Sequence, residues 1–208
     1  MISYAAGVML GAAFLGMIPT ALSRADASQI LPALLIGLVL FFILEKMVLW
    51  RHCHDESCAV HGQAGPLVLV GDAFHNFVDG VVIAAAFLVS IPLGVATAVA
   101  VIAHEVPQEV GDFAILLDGG YSRAKAFWLN ILSASATLPG ALAGYFWLGQ
   151  MEEAIAYILA LSAASFIYIA LADLVPSLHR RTNPMQSLLQ LALLIAGIST
   201  IGWMRHAQ

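Results

Sequence analysis

Long apolar runs dominate this chain and limit what it can fold into. A helix needs about 20 apolar residues to cross a hydrocarbon core about 30 Å thick. Seven runs are close to that length, at residues 2–22, 30–50, 66–90, 93–117, 124–148, 154–176 and 187–204. We therefore predict an all-α, multi-pass integral membrane protein, a helical bundle of about seven transmembrane helices.

The composition agrees with a membrane protein and excludes several other classes. Of 208 residues 61% are hydrophobic and 10% charged, whereas about 25% are charged in a typical soluble domain. We predict that residues 1–208 form a single transmembrane domain in the lipid bilayer. No basic stripe is present for nucleic acid. The two cysteines lie five residues apart in one polar loop, which is no disulfide framework.

The lysine and arginine residues predict the orientation of the chain. If the chain crosses the membrane seven times, six of the eight lysine and arginine residues lie on one side: Lys46, Arg51, Arg123, Lys125, Arg180 and Arg181. The other side has Arg24 and Arg205. Cytoplasmic loops carry the excess of basic residues. We therefore expect the N-terminus and loop 51–65 in the cytoplasm and the C-terminus outside, in the plasma (inner) membrane.

Two polar clusters interrupt consecutive apolar runs, at residues 71–80 and 104–112. A charged side chain at the bilayer centre costs roughly 2.5–3.5 kcal/mol, so such residues usually mark a pathway or a site. His75 lies roughly 14 Å into its span and His104 roughly 16 Å into the next, at 1.5 Å per residue. The link around residues 91–92 is short, so the two helices should be antiparallel neighbours whose clusters converge near the midplane.

Ligand-type side chains share helix faces within each cluster. His75 and Asp79 are four residues apart, as are His104 and Gln108, and such pairs are neighbours on a helix surface. Pro107 removes a backbone donor, which predicts a kink or break in the second helix. Imidazole and carboxylate with a nearby amide suit borderline divalent ions such as Zn²⁺, Fe²⁺ or Mn²⁺.

A single polar residue in a membrane helix can be a packing contact, but four together indicate a metal site: His75, Asp79, His104 and Glu105. Asn76 and Gln108 are either ligands or hydrogen-bonding contacts between helices. Four further carboxylates either line the ion pathway, support the metal ligands or have a purely structural role: Asp72, Glu109, Asp112 and Asp173. Small residues that allow close helix approach follow in the fifth span, Gly140 and Gly144 among them.

The two clusters together resemble the signature of the ZIP (Zrt/Irt-like) divalent-metal transporters. The matching motifs are His75-Asn76-x-x-Asp79-Gly80 and His104-Glu105-x-Pro107-x-Glu109-x-Gly111-Asp112, and segments 41–46 and 167–176 also match the family. The resemblance implies an eight-helix fold of which this chain would lack the first helix. It also implies a homodimer contact and a transport domain that slides against a scaffold.

By the same resemblance the function is uptake of a divalent metal ion into the cytosol, with no cofactor and no enzymatic activity. Zinc is the expected ion, and iron, manganese and cadmium are alternatives. The family's binuclear-type ligand positions carry over to His75, Asn76, Asp79, His104, Glu105 and Gln108. This chain departs from the family at Gln108, where His or Glu is more common, and at Ser177, where Glu is common.

The cytoplasmic loop 51–65 holds five further nitrogen or sulfur ligands: His52, Cys53, His54, Cys58 and His61. They can bind Zn²⁺, although their spacing matches no fixed zinc module. The functional interpretation is capture of the exiting ion or feedback on transport, and the alternative is a linker that is rich in histidine by chance.

Three rival functions remain. One is an intramembrane metalloprotease, because His104-Glu105 is the first half of H-E-x-x-H, but Gln108 replaces the second His and Pro107 interrupts the helix. Another is a metal-binding or sensor protein that transports nothing. The last is a proton-coupled carrier of an organic substrate, which is disfavoured because no basic residue lies in the spans to meet an anion.

Overall fold

The computed structural model describes residues 1–52, 64–179 and 183–206, which are almost entirely helical and include no strand. Seven helices in these ranges are long and apolar enough to cross a membrane. They are α1 (Ile2–Arg24), α2 (Ala27–His52), α3 (Ala64–Val89), α4 (Ile91–Asp118), α5 (Arg123–Leu148), α6 (Glu152–Ile169, continued by a π-helical segment Ala170–Leu174 and by Val175–His179) and α7 (Pro184–His206). The predicted all-α class and the seven spans are confirmed.

Prolines account for the irregular turns of α1 and α6. A proline lacks a backbone N–H and clashes with the carbonyl four residues earlier. A π-helical turn precedes Pro19 in α1, at Ala12–Met17, and another precedes Pro176 in α6. Such wider turns relax the hydrogen-bond ladder locally. In contrast, α4 is a continuous α-helix through Pro107. Pro107 predicted a kink or a break in this helix, and the break is wrong.

Helices α3 and α4 form the hairpin that positions the polar clusters. Only Ser90 separates them, and its hydroxyl oxygen accepts the backbone N–H of Leu93 at 3.3 Å. This is the helix cap expected of a serine. The two helices pack against each other along the hairpin, and α3 also packs against the second half of α5. The predicted antiparallel pairing is therefore confirmed.

The remaining helices build most of the apolar core. Helix α1 packs against α7, and α2 packs against α6. The α1–α7 crossing is close, because a Cβ atom at Gly7 or Gly197 would overlap backbone of the opposite helix. Buried side chains of α1 and α6 form much of the apolar core, with Phe166 the largest fully buried one. Phe166 reaches from α6 towards the α3–α4 hairpin, where the polar residues lie.

Candidate metal centre

Four ligand-type side chains meet between α3 and α4: His75, Asp79, His104 and Glu105. The two imidazole Nε2 atoms are 3.3 Å apart. Glu105 Oε1 lies 3.3 Å from Nε2 of His75 and 3.2 Å from Nε2 of His104. Asp79 Oδ2 lies 3.2 Å from Nε2 of His104 and 3.7 Å from that of His75. One donor atom from each residue therefore points to a common centre.

The spacing of these donors fits the coordination shell of a small divalent ion. Zinc binds histidine nitrogen and carboxylate oxygen at about 2.0–2.2 Å, so neighbouring ligands of a tetrahedral site are about 3.3–3.6 Å apart. Five of the six donor-to-donor distances, all those that involve a histidine nitrogen, lie between 3.2 and 3.7 Å. The cluster therefore has the size of a tetrahedral zinc site with two nitrogen and two oxygen ligands.

The carboxylates of this cluster are buried but are not paired by hydrogen bonds. Asp79 is 4% exposed and His104 2%. Within the described residues, Asp79 Oδ2 and both oxygens of Glu105 have no hydrogen-bond partner, although imidazole nitrogens are near. Burying such groups without partners is costly. A divalent cation at the common centre would compensate both carboxylates at once.

Neighbouring groups orient His104 for a role as ligand. Its Nδ1 lies 3.1 Å from the carbonyl oxygen of Ala100. Since a carbonyl only accepts, Nδ1 carries the proton and Nε2 of the neutral ring offers a lone pair to the centre. This arrangement is usual for metal-bound histidines. The edge of the ring also packs against Phe166 of α6, with the ring centroids 5.8 Å apart.

Comparison with known proteins identifies the family. A family model described as ZIP Zinc transporter matches residues 50–205, which is most of the chain. The chain belongs to the ZIP family. Zinc transporter ZIP13 of Pongo abelii is 35% identical over 215 residues, which cover 95% of this chain and 64% of the relative. Zinc transporter ZIP13 of Homo sapiens is 32% identical over 254 residues, or 95% of this chain and 68% of the relative.

A shorter match is to human zinc transporter ZIP4, 43% identical over 126 residues, which cover 59% of this chain and 19% of that protein. The chain thus spans less than two thirds of the Pongo abelii protein and a much smaller part of human ZIP4. The ZIP resemblance predicted from the two motifs is confirmed. These relatives are transporters rather than enzymes, which argues against the metalloprotease alternative.

In this ZIP chain the two amide residues contact a carboxylate next to the four-donor centre. The side-chain amides of Asn76 and Gln108 each donate to Oδ1 of Asp72, at 3.1 Å. The amide oxygen of Asn76 faces the hydroxyl of Thr137 on α5, at 3.0 Å. The predicted role of Asn76 and Gln108 as ligands stays untested. Thr137 was missed because nothing in the sequence links it to the α3 motif.

A Thr137→Val variant should be less stable than the wild type by about 1–3 kcal/mol, because the buried amide oxygen of Asn76 loses its hydroxyl partner. Thr137→Ser keeps the hydroxyl and should stay within about 1 kcal/mol of wild type. Chemical denaturation of the purified protein in detergent measures both. Loss of stability in Thr137→Ser but not in Thr137→Val would show that the methyl group of Thr137 matters and the hydrogen bond does not.

The other predicted residues lie at different distances from the centre. Asp72 and Glu109 form a second group with Glu105, one turn along the hairpin. Asp112 is half-buried one turn beyond Glu109. The side chain of Asp173 is not among those described. Of the loop ligands, His52 ends α2 without a described side chain, and Cys53, His54, Cys58 and His61 lie outside the described residues.

Proposed function

We propose that this chain carries divalent metal ions across the membrane, with zinc as its preferred ion, through the four-donor centre of α3 and α4. The observation that carries the proposal is the convergence of two imidazoles and two carboxylates at distances of 3.2–3.7 Å inside two helices that span the membrane. Its ZIP relatives are named as zinc transporters, which supports the same conclusion.

Charge balance explains why this donor set suits an ion in transit. A charge at the centre of a bilayer is costly unless it is paired. Neutral His75 and His104 add no charge, whereas Asp79 and Glu105 contribute one negative charge each. A bound Zn²⁺ ion therefore makes a complex without net charge, which lowers the cost of holding the ion at this depth.

Accessibility differs among the four ligands in a way that suits release. Asp79 and His104 have side chains that are 5% and 1% exposed, whereas His75 and Glu105 reach 25% and 13%. A cavity of about 540 Å³ lies beside Glu105 and is otherwise lined mainly by apolar residues of α3, α4 and α5. The ion can exchange its ligands on the side of the centre where His75 and Glu105 are exposed. The resemblance to the ZIP transporters supports uptake into the cytosol as the net direction.

Uptake into proteoliposomes tests the proposal directly. The wild type should show saturable Zn²⁺ uptake, and Cd²⁺, Fe²⁺ and Mn²⁺ should compete less well. His75→Ala combined with His104→Ala should abolish uptake, because half of the donors are removed. His206→Ala, at the end of α7, is the matched control and should transport like the wild type.

Two results would contradict this function. Undiminished uptake by the folded double variant would place the ion path elsewhere. A folded wild type that binds zinc without taking it up would instead be a metal-binding or sensor protein.

A further inference from the structure

The four-donor centre has an open side and a closed side. On the open side the side chains of His75 and Glu105 are 25% and 13% exposed, and a cavity lined by α3, α4 and α5 adjoins Glu105. On the closed side the side chain of His104 is 1% exposed, and the ring of Phe166 from α6 packs against it. Water therefore reaches a bound ion more easily past His75 and Glu105 than past His104.

Phe166 closes its side of the centre through its size and its chemistry. It is 1% exposed and is the largest of the fully buried side chains that the structure describes. Its ring centroid lies 5.8 Å from that of His104, with the ring planes at 63°, which is a usual separation for aromatic rings in contact. A phenyl ring offers neither a hydrogen bond to water nor a ligand to a metal. The contact therefore keeps the surroundings of His104 dry.

The access of water decides how many ligands an ion can collect at this centre. The protein offers one donor atom from each of four residues. Four ligands in a tetrahedron satisfy zinc, whereas manganese prefers six ligands in an octahedron, most of them oxygen atoms. An ion that needs two more ligands must take them from water. The apolar shell around a metal site controls that supply.

We propose that Phe166 makes this centre selective for zinc over manganese, because its ring denies water a position on the ion beside His104. The proposal rests on the function proposed above, since it takes the four donors as the zinc ligands. Phe166 is not a ligand and acts by packing against His104. If its ring is removed, the space left next to His104 can hold water, which then has the ion as a polar partner.

Cobalt spectroscopy tests this role without any transport measurement. The purified full chain in detergent is loaded with Co²⁺, which absorbs visible light much more strongly with four ligands than with six. The wild type should show the strong absorption of four-coordinate cobalt, and Phe166→Ala a weaker one. Competition between Zn²⁺ and Mn²⁺ in dialysis should show that the zinc-to-manganese affinity ratio falls at least about 10-fold in this variant. Phe166→Val removes less of the ring and should change both readings in the same direction by less.

The matched control is Leu159→Ala. Leu159 is fully buried on the same helix, seven residues before Phe166 and so about 10 Å away along the helix axis. Its removal also leaves a cavity, but the cobalt absorption and the affinity ratio should stay those of the wild type. Circular dichroism shows whether each variant is folded.

Three results would overturn the role of Phe166: six-coordinate cobalt in the wild type, unchanged readings in a folded Phe166 variant, or an equal change in the control. These results are separate from the uptake experiment. If the liposomes take up no zinc but the Phe166 variants change the cobalt absorption and the affinity ratio, the transport proposal fails and the role of Phe166 stands. Normal zinc uptake with unchanged readings in the variants would mean the reverse.

Discussion

A Glu105→Gln variant is expected to bind zinc at least about 100-fold more weakly than the wild type and to show no uptake. Changing a group that merely orients a ligand costs about 10–100-fold in metal affinity, and loss of a ligand should cost more. Glu105 Oε1 lies 3.3 Å and 3.2 Å from the two imidazole nitrogens, and the residue also belongs to the second carboxylate group. The substitution keeps the shape of the side chain and removes its charge.

Titration calorimetry with Zn²⁺ in detergent measures this loss of affinity. The matched control is Glu152→Gln, at the exposed start of α6. It should bind zinc with an affinity close to that of the wild type. The same variant tests the metalloprotease alternative. In H-E-x-x-H enzymes the glutamate is a general base and not a ligand, so that function would leave zinc affinity nearly unchanged. An affinity equal to wild type would therefore contradict the assignment of Glu105 as a ligand.

A Gly140→Ala variant is expected to be destabilised by about 3 kcal/mol, at the upper end of the usual cost of overpacking. A Cβ atom at Gly140 would overlap the backbone carbonyl of Phe77 on α3, and one at Gly80 would overlap that of Thr137 on α5. Backbone cannot rotate away as a side chain can, so α3 and α5 would have to separate. That separation would also move Thr137 away from Asn76 and weaken their hydrogen bond. The close α3–α5 crossing therefore also supports the polar site.

The control for this substitution is Gly71→Ala, on α3, where an added Cβ meets nothing within 4 Å. Alanine in place of glycine inside a helix gains up to about 1 kcal/mol, so this variant should be as stable as the wild type or slightly more stable. Thermal unfolding in detergent compares the two. Equal stability of Gly140→Ala and Gly71→Ala would mean that the close α3–α5 crossing does not contribute to stability.

The sequence alone determined the seven spans, the α3–α4 hairpin and the pairing of His75 with His104. The physical reason is that the thickness of a bilayer sets the length of each helix, and a short link forces neighbouring helices to be antiparallel. Residues at similar depth on such neighbours must then lie close together. Helical spacing also places His75 and Asp79 on one face. The small residues of α5 predicted a close crossing, and Gly140 and Gly144 indeed lie against backbone of α3.

Only the tertiary structure decided what the side chains at the site contact. Helical spacing cannot tell whether the amide of Gln108 turns to the metal centre or to Asp72, because both are within reach of a flexible side chain. It also cannot reveal that Thr137 and Phe166, from helices later in the chain, support Asn76 and His104. Contacts of this kind depend on how helices far apart in sequence cross, and close packing between backbones sets those crossings.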